Sequence, residues 1–182
     1  MNSMDRELLA TDVNHACRLH GQFQLRSGQL SHEYFDKYLF ESDPRLLRRV
    51  CEAMVPLIPA DTDLLGGLEL GGIPLATVAS QLTGIQTLFV RKAAKTYGTC
   101  RLAEGSDIAG KTITLIEDVI TTGGAVREAA QALRSEHGIV STVICAINRS
   151  TDPTAVLGDV ALTVRSVLTK ADLDAARPTS TN

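Results

Sequence analysis

The chain has 182 residues, enough for one domain with a small appendage and too few for two of ordinary size. A formal charge of −3, 4% aromatic residues and no Trp exclude a general polyanion binder or a base-stacking platform. No apolar run approaches a membrane span and residues 1–10 carry Asp5, Arg6 and Glu7 in place of a signal sequence, so a cytoplasmic protein free of membrane and nucleic acid is expected.

Leu8, Leu9, Val13, Ala16 and Leu19 recur at helical spacing and predict a helix over residues 5–20, stopped by Gly21. Residues 23–28 and 34–40 read as two short extended stretches, a hairpin-like hood. Pro44 opens a second helix through Leu46, Leu47, Val50, Met54 and Leu57, closed by Pro56 or Pro59. Apolar runs and helices then alternate. Strands are predicted at 64–68, 87–90, 112–116, 140–147 and 160–167, and helices at 73–82 and 125–137. The tail from Arg177 is polar and expected to fray. Near-continuous apolar strands alternating with helices imply an α/β fold, a mainly parallel central sheet flanked by helices. Ligands of such sheets bind beyond the carboxyl ends of the strands, so chemistry is sought there. The expected division is one domain over 1–182: an N-terminal helix and hood over about 1–40, an α/β core over 41–170, and a tail over 171–182.

Four cysteines form no C-x-x-C pair and none has a His at zinc-ligand spacing. Cys17, Cys51 and Cys145 are expected as buried small apolar residues, and Cys100 in a polar loop. His15, His20, His32 and His137 are scattered and fit no triad.

One run concentrates chemistry. The strand at 112–116 ends in Glu117 and Asp118, followed by Val119, Ile120, Thr121, Thr122, Gly123, Gly124 and Ala125 at the start of a helix. Adjacent acids repel, so a plain sheet gains nothing from them. A ribose diol, however, presents two hydroxyls to carboxylates. The hydroxyls, glycines and helix N-terminus that follow suit a phosphate. With no Lys the loop is not a Walker A loop, and without G-x-G-x-x-G it is not a dinucleotide fingerprint. The run therefore reads as a cradle for a sugar bearing a 5′-phosphate.

A second segment, Phe89 to Thr99, supplies Arg91, Lys92 and Lys95 directly after a strand, cations suited to a pyrophosphate. Residues 98–110 beyond it are long, polar and Gly-containing, as a lid would be. Arg149, after the strand ending at Asn148, suits a carboxylate held by two parallel hydrogen bonds.

The acidic run resembles the signature of the type I phosphoribosyltransferases, in the version of the orotate branch. That resemblance implies that residues 117–125 hold the ribose-5-phosphate of phosphoribosyl pyrophosphate (PRPP), with Glu117 standing where Asp is commoner. Arg91, Lys92, Lys95 and Tyr97 resemble the branch's R-K-x-x-K-x-H-G loop, which closes over a neighbouring subunit's site. It implies a homodimer with shared sites, PRPP contacts from these four residues and a catalytic Lys95. Tyr97 replaces the usual His and, near neutral pH, is a poor base. The hood, with Arg26 where Lys is common and with Tyr34 and Phe35, is similar to the cover over the pyrimidine. Arg149 and Thr121 stand at the positions that contact orotate. Residues 70–76 resemble the pyrophosphate loop, with Gly71 where some members have Lys.

The implied reaction joins orotate to PRPP and yields orotidine 5′-monophosphate and pyrophosphate. Mg²⁺ is implied as well, held mainly through PRPP and water, with Glu117 and Asp118 steadying charge at C1. A phosphoribosyltransferase for a purine or other base is one alternative. A non-catalytic PRPP-sensing regulator is another, although the residues before Gly21 leave room for one helix at most.

Overall fold

The computed structural model describes residues 1–24, 28–92 and 102–176. Arg26, Lys95, Tyr97 and Cys100 lie outside the described residues, as does the tail from 177.

Helix α1 (Ser3–Cys17) starts where the Asn2 side chain accepts the Asp5 amide at 2.9 Å. It ends three residues earlier than its apolar periodicity predicts. Arg18, Leu19 and His20 instead begin strand β1 (Arg18–Gln24), which pairs antiparallel with β2 (Leu30–Phe35) from Arg18↔Phe35 onward. Once Leu9, Ala10, Val13 and Cys17 are buried the helix has no more core to reach. The strand ladder and a 2.7 Å ion pair from Arg18 to Glu33 then favour extended backbone. The hood is thus a real hairpin, set apart from the main sheet.

Residues 38–40, expected as extended, form the first turn of a short helix α2 (Tyr38–Ser42), pinned by the fully buried Phe40. Helix α3 (Pro44–Met54) follows, its free amides capped by Asp43, which accepts from Arg45 and Leu46. A 3-10 turn closes it at Val55–Leu57.

The remaining chain builds β3 (Leu64–Leu68), α4 (Gly72–Thr83), β4 (Gln86–Val90), β5 (Ala103–Glu104), β6 (Thr112–Ile120), α5 (Gly124–Ser135), β7 (Ile139–Asn148), β8 (Thr163–Thr169) and α6 (Lys170–Ala175). The six-stranded sheet runs in the order β5-β4-β3-β6-β7-β8, parallel except for β5. The last strand begins at Thr163 rather than 160, because a 3-10 turn at Gly158–Val160 and Ala161 in a left-handed conformation intervene. Helix α6, which the sequence leaves in the tail, is fixed by a capping box between Thr169 and Asp172. Arg6 of α1 also grips Asp172 through two hydrogen bonds, at 3.1 and 2.8 Å.

One apolar cluster packs α1, α3 and α4 on one face of the sheet, joining Cys17, Phe40, Met54 and Leu75 to Ile144. A second packs α5 on the other face, through Val126, Ala130 and Leu133. Cys17, Cys51 and Cys145 are buried within these clusters, as the sequence suggests. From β3 the chain crosses by α4 to β4 on one side, and from β6 by α5 to β7 on the other. The carboxyl ends of β3 and β6 therefore flank the point where strand order reverses, the expected ligand crevice of an open α/β sheet. No helix among the described residues is long and apolar enough to cross a membrane.

Candidate active site

Three loops leave the sheet beside that crevice. Residues 69–71 link β3 to α4, residues 91 and 92 follow β4, and residues 121–123 link β6 to α5. Between them lies a cleft of about 1010 Å³ lined by Lys37, Glu69, Arg91, Lys92, Glu117 and Asp118, among others. A smaller cavity of about 170 Å³ adjoins it, lined by Glu117 and residues 119–126.

The acids are not at the end of β6 but inside it, because the strand runs on to Ile120. Both are buried: Asp118 is 1% exposed and Glu117 9%. Asp118 accepts a charged hydrogen bond from Lys37, and its other oxygen accepts the Val119 amide. Glu117 accepts the Asp118 amide at 3.1 Å. Burial, with the hydrogen bond and charge of Asp118, pushes the Glu117 carboxyl up to about 9. Burial and the same neighbour push Glu41 of α2 up to about 8. Burial works against the charge on Lys37, but the hydrogen bond and charge of Asp118 outweigh it, so its pKa is raised. The pair is therefore not two equivalent carboxylates: Asp118 is ion-paired with Lys37, and Glu117 is held towards its protonated form. Glu117 can thus donate a hydrogen bond as well as accept one.

Glycine makes this packing possible at two positions. A Cβ on Gly71 would stand 1.5 Å from Asp118 Oδ2, and one on Gly72 would stand 2.1 Å from the Ile116 carbonyl oxygen. The loop after β3 thus lies directly against the acidic strand.

The loop after β6 turns at Gly123, with φ +74°, into α5. The amides of Gly123, Gly124 and Ala125 donate to no other described residue, as the first turn of a helix leaves them. Three free N–H groups at the positive end of α5, with Thr121 and Thr122 beside them, form an anion cradle.

After β4, the Arg91 amide donates to the Leu102 carbonyl at 2.9 Å and the Lys92 amide to Glu69 at 3.0 Å. The chain thus leaves β4 at the cleft and returns beside it as β5. Between the two lie residues 93–101, the segment holding Lys95 and Tyr97.

At the end of β7, the Arg149 amide donates to the Ile120 carbonyl at 2.8 Å, and its guanidinium sits 5.6 Å from the centre of the Phe35 ring. The buried Asn148 holds this turn by bonding Ser150 and the Pro153 carbonyl. Hood and sheet therefore meet at Phe35 and Arg149. Tyr34 does not join them: its ring pairs with Phe23 at 5.5 Å, since neighbouring side chains on a strand face opposite ways.

The sequence pattern missed Lys37 and Glu41. Each reads locally as a surface charge, and only the fold brings them to Asp118.

No family model matches the chain. An orotate phosphoribosyltransferase of Nocardioides sp. is 64% identical over 169 residues, 93% of this chain and 94% of the relative. Among solved structures, the Mycobacterium tuberculosis orotate phosphoribosyltransferase in complex with Fe(III) dicitrate superposes with a TM-score of 0.83 at 34% identity, covering 93% of this chain and 98% of that one. The same enzyme in complex with PRPP gives 0.78 at 29% identity, covering 93% and 99%.

Proposed function

This chain belongs to the orotate phosphoribosyltransferase family, and we propose that its cleft performs that reaction with the residues just described. The enzyme is a pentosyltransferase of pyrimidine biosynthesis that joins orotate to PRPP, giving orotidine 5′-monophosphate and pyrophosphate. The bond from N1 of orotate to C1 of the ribose forms as the bond from C1 to the pyrophosphate oxygen breaks, and the proton lost from N1 is taken up by the departing pyrophosphate.

The observation that carries the residue assignment is the run of free amides at Gly123, Gly124 and Ala125 directly beyond the buried Glu117 and Asp118. The amides, with Val119, Ile120, Thr121 and Thr122, take the 5′-phosphate, and the acids take the ribose hydroxyls. Asp118 accepts while Glu117 both donates and accepts, which matches the mixed character of a diol. Arg91 and Lys92 face the pyrophosphate, and Lys95 and Tyr97 complete that group from a neighbouring subunit. Arg149, held against Phe35, takes the orotate carboxylate, and Thr121 is the second contact to the base. Positive charge developing at C1 is steadied by the Asp118 carboxylate, with Glu117 positioning the ribose, and charge on the leaving group by the cations.

Mg²⁺ fits the cleft as a companion of PRPP: a hard cation takes oxygen ligands and keeps several waters, while both Asp118 oxygens are already engaged by Lys37 and the Val119 amide. No group of three metal-ligating side chains occurs among the described residues, so its shell falls to PRPP and water. When bound, the metal neutralises phosphate charge. Homodimeric assembly with shared sites and a cytoplasmic location complete the proposal.

An ultraviolet assay of orotate consumption with PRPP and Mg²⁺ tests the reading, run beside uracil, adenine and xanthine. Orotate should be turned over preferentially, and Arg149→Leu should lose orotate use selectively. Undiminished orotate turnover in that variant would remove Arg149 from the base site.

A further inference from the structure

We propose that Arg127 is a positioning residue for the phosphate loop: it holds the Thr122 carbonyl and so turns the Gly123 N–H into the anion cradle. This inference rests on the reading of residues 121–125 as the 5′-phosphate site.

Arg127 sits in the first turn of α5, where an exposed helical arginine is commonly a solvated charge. Here four of the five guanidinium N–H groups are engaged. Nη1 donates to the Thr122 carbonyl at 2.5 Å, and Nη2 donates to the Val156 carbonyl at 2.5 Å. Nε and Nη2 also grip both oxygens of Asp159, at 2.9 and 3.0 Å. One planar fork therefore ties three segments together: the phosphate loop, the turn before β8 and α5 itself.

The peptide plane converts this tie into ligand geometry. In a trans peptide the C=O of Thr122 and the N–H of Gly123 point in opposite directions, and the unit is rigid. With the carbonyl turned towards Arg127, the N–H points away from it, and like the Gly124 and Ala125 amides it donates to no described residue. The Arg127 amide meanwhile closes the first helical turn on the Gly123 carbonyl at 3.0 Å, so the next peptide is fixed too. Leu157, fully buried, supports the turn from beneath: a Cβ on Gly123 would come within 2.5 Å of its Cδ2. The segment 156–159 thus serves as the foundation of the loop, with Arg127 and Asp159 as its fastening. Neither residue reaches the reacting atoms, so the effect belongs to binding of the phosphate end.

The test compares Arg127→Met, Arg127→Lys and Asp159→Asn with the wild-type enzyme. Steady-state kinetics are combined with calorimetric titration of ribose 5-phosphate and, separately, of pyrophosphate. Arg127→Met should raise KM for PRPP and the Kd for ribose 5-phosphate by about tenfold, the net loss of roughly one hydrogen bond. It should lower kcat less than it raises KM and leave pyrophosphate affinity in place. Asp159→Asn should show a smaller effect of the same kind. Arg127→Lys, which keeps one donor, should restore part of the ribose 5-phosphate affinity. Equal losses for both ligands, accompanied by a lower Tm, would reduce Arg127 to a structural role and overturn the proposal. So would unchanged ribose 5-phosphate affinity in Arg127→Met. If the wild-type enzyme itself fails to bind ribose 5-phosphate, the fault lies with the phosphate-site reading instead.

Discussion

Asp118 gathers the most consequential contacts of any residue in the cleft. Its Oδ2 accepts from Lys37 and also occupies the space that a Cβ on Gly71 would need. Gly71→Ala should therefore displace the carboxylate while leaving the core intact. A displacement of that order should lower kcat/KM for PRPP about a hundredfold, with Tm little changed, as read by kinetics and thermal unfolding side by side. Lys37→Met should also weaken PRPP use, and Lys37→Arg should retain more of it, because a cation still faces Asp118. Glu41 makes a prediction about pH. Its folded pKa, about 8, lies above the ordinary glutamate value, so folding holds a proton that the unfolded chain releases. Stability should therefore fall as pH rises from the ordinary glutamate range to about 8. Glu41→Gln should flatten that fall by up to about one proton in the slope of unfolding free energy against pH. The proposed phosphate cradle was legible in the sequence because its parts are contiguous from Glu117 to Ala125. Lys37, Glu41 and Arg127 were not, because each acts across the fold on a residue its local pattern does not mention.

At the scale of elements, long periodic or continuous apolar segments announced themselves. The strands β3, β6 and β7 and the helices α3, α4 and α5 fall close to where their patterns place them. Failures occur where a few residues decide. Helix α1 ends early because the hairpin ladder takes Arg18–His20, and β5 has two residues, too few for any alternation. Helix α6 was hidden for a different reason, since its stability comes from a cap and a distant partner. Asp172 is the key: burial alone would raise its pKa, but the bonds from Arg6 and Thr169 hold it below the ordinary aspartate value. A depressed carboxyl stabilises the fold above its unfolded pKa and loses that contribution as pH falls through the folded one. Asp172→Ala should cost on the order of 1 kcal/mol near neutrality, a partly exposed ion pair and half a capping box. Denaturant titration should show the gap between variant and wild type closing in acid.

At the scale of the molecule, the proposed sharing of sites makes a quantitative demand. Lys95→Ala and Asp118→Asn should each be nearly inactive alone. If each lid serves the partner's cleft, mixed dimers contain one cleft with both groups intact. Random reassortment of the two variants should then restore about a quarter of wild-type activity. No recovery on mixing would place lid and cleft in the same subunit. The sequence implied this arrangement only by resemblance, because no pattern within one chain records which subunit a loop covers. The parallel sheet was more accessible, since near-continuous apolar strands alternate with helices along the chain, but the strand order that makes β3 and β6 neighbours was not.

That neighbouring of β3 and β6 has a metric consequence. Adjacent strands stand about 4.8 Å apart, a spacing fixed by backbone hydrogen bonds and indifferent to side-chain substitution. The two loops that would hold opposite ends of the sugar diphosphate are mounted on these two strands, joined from Leu64↔Ile113 to Gly67↔Ile116. The sheet then works as a caliper whose jaws cannot open. Selectivity for ligand length is built into the scaffold itself: an analogue with one extra methylene between ring and phosphate should bind poorly however well its functional groups match.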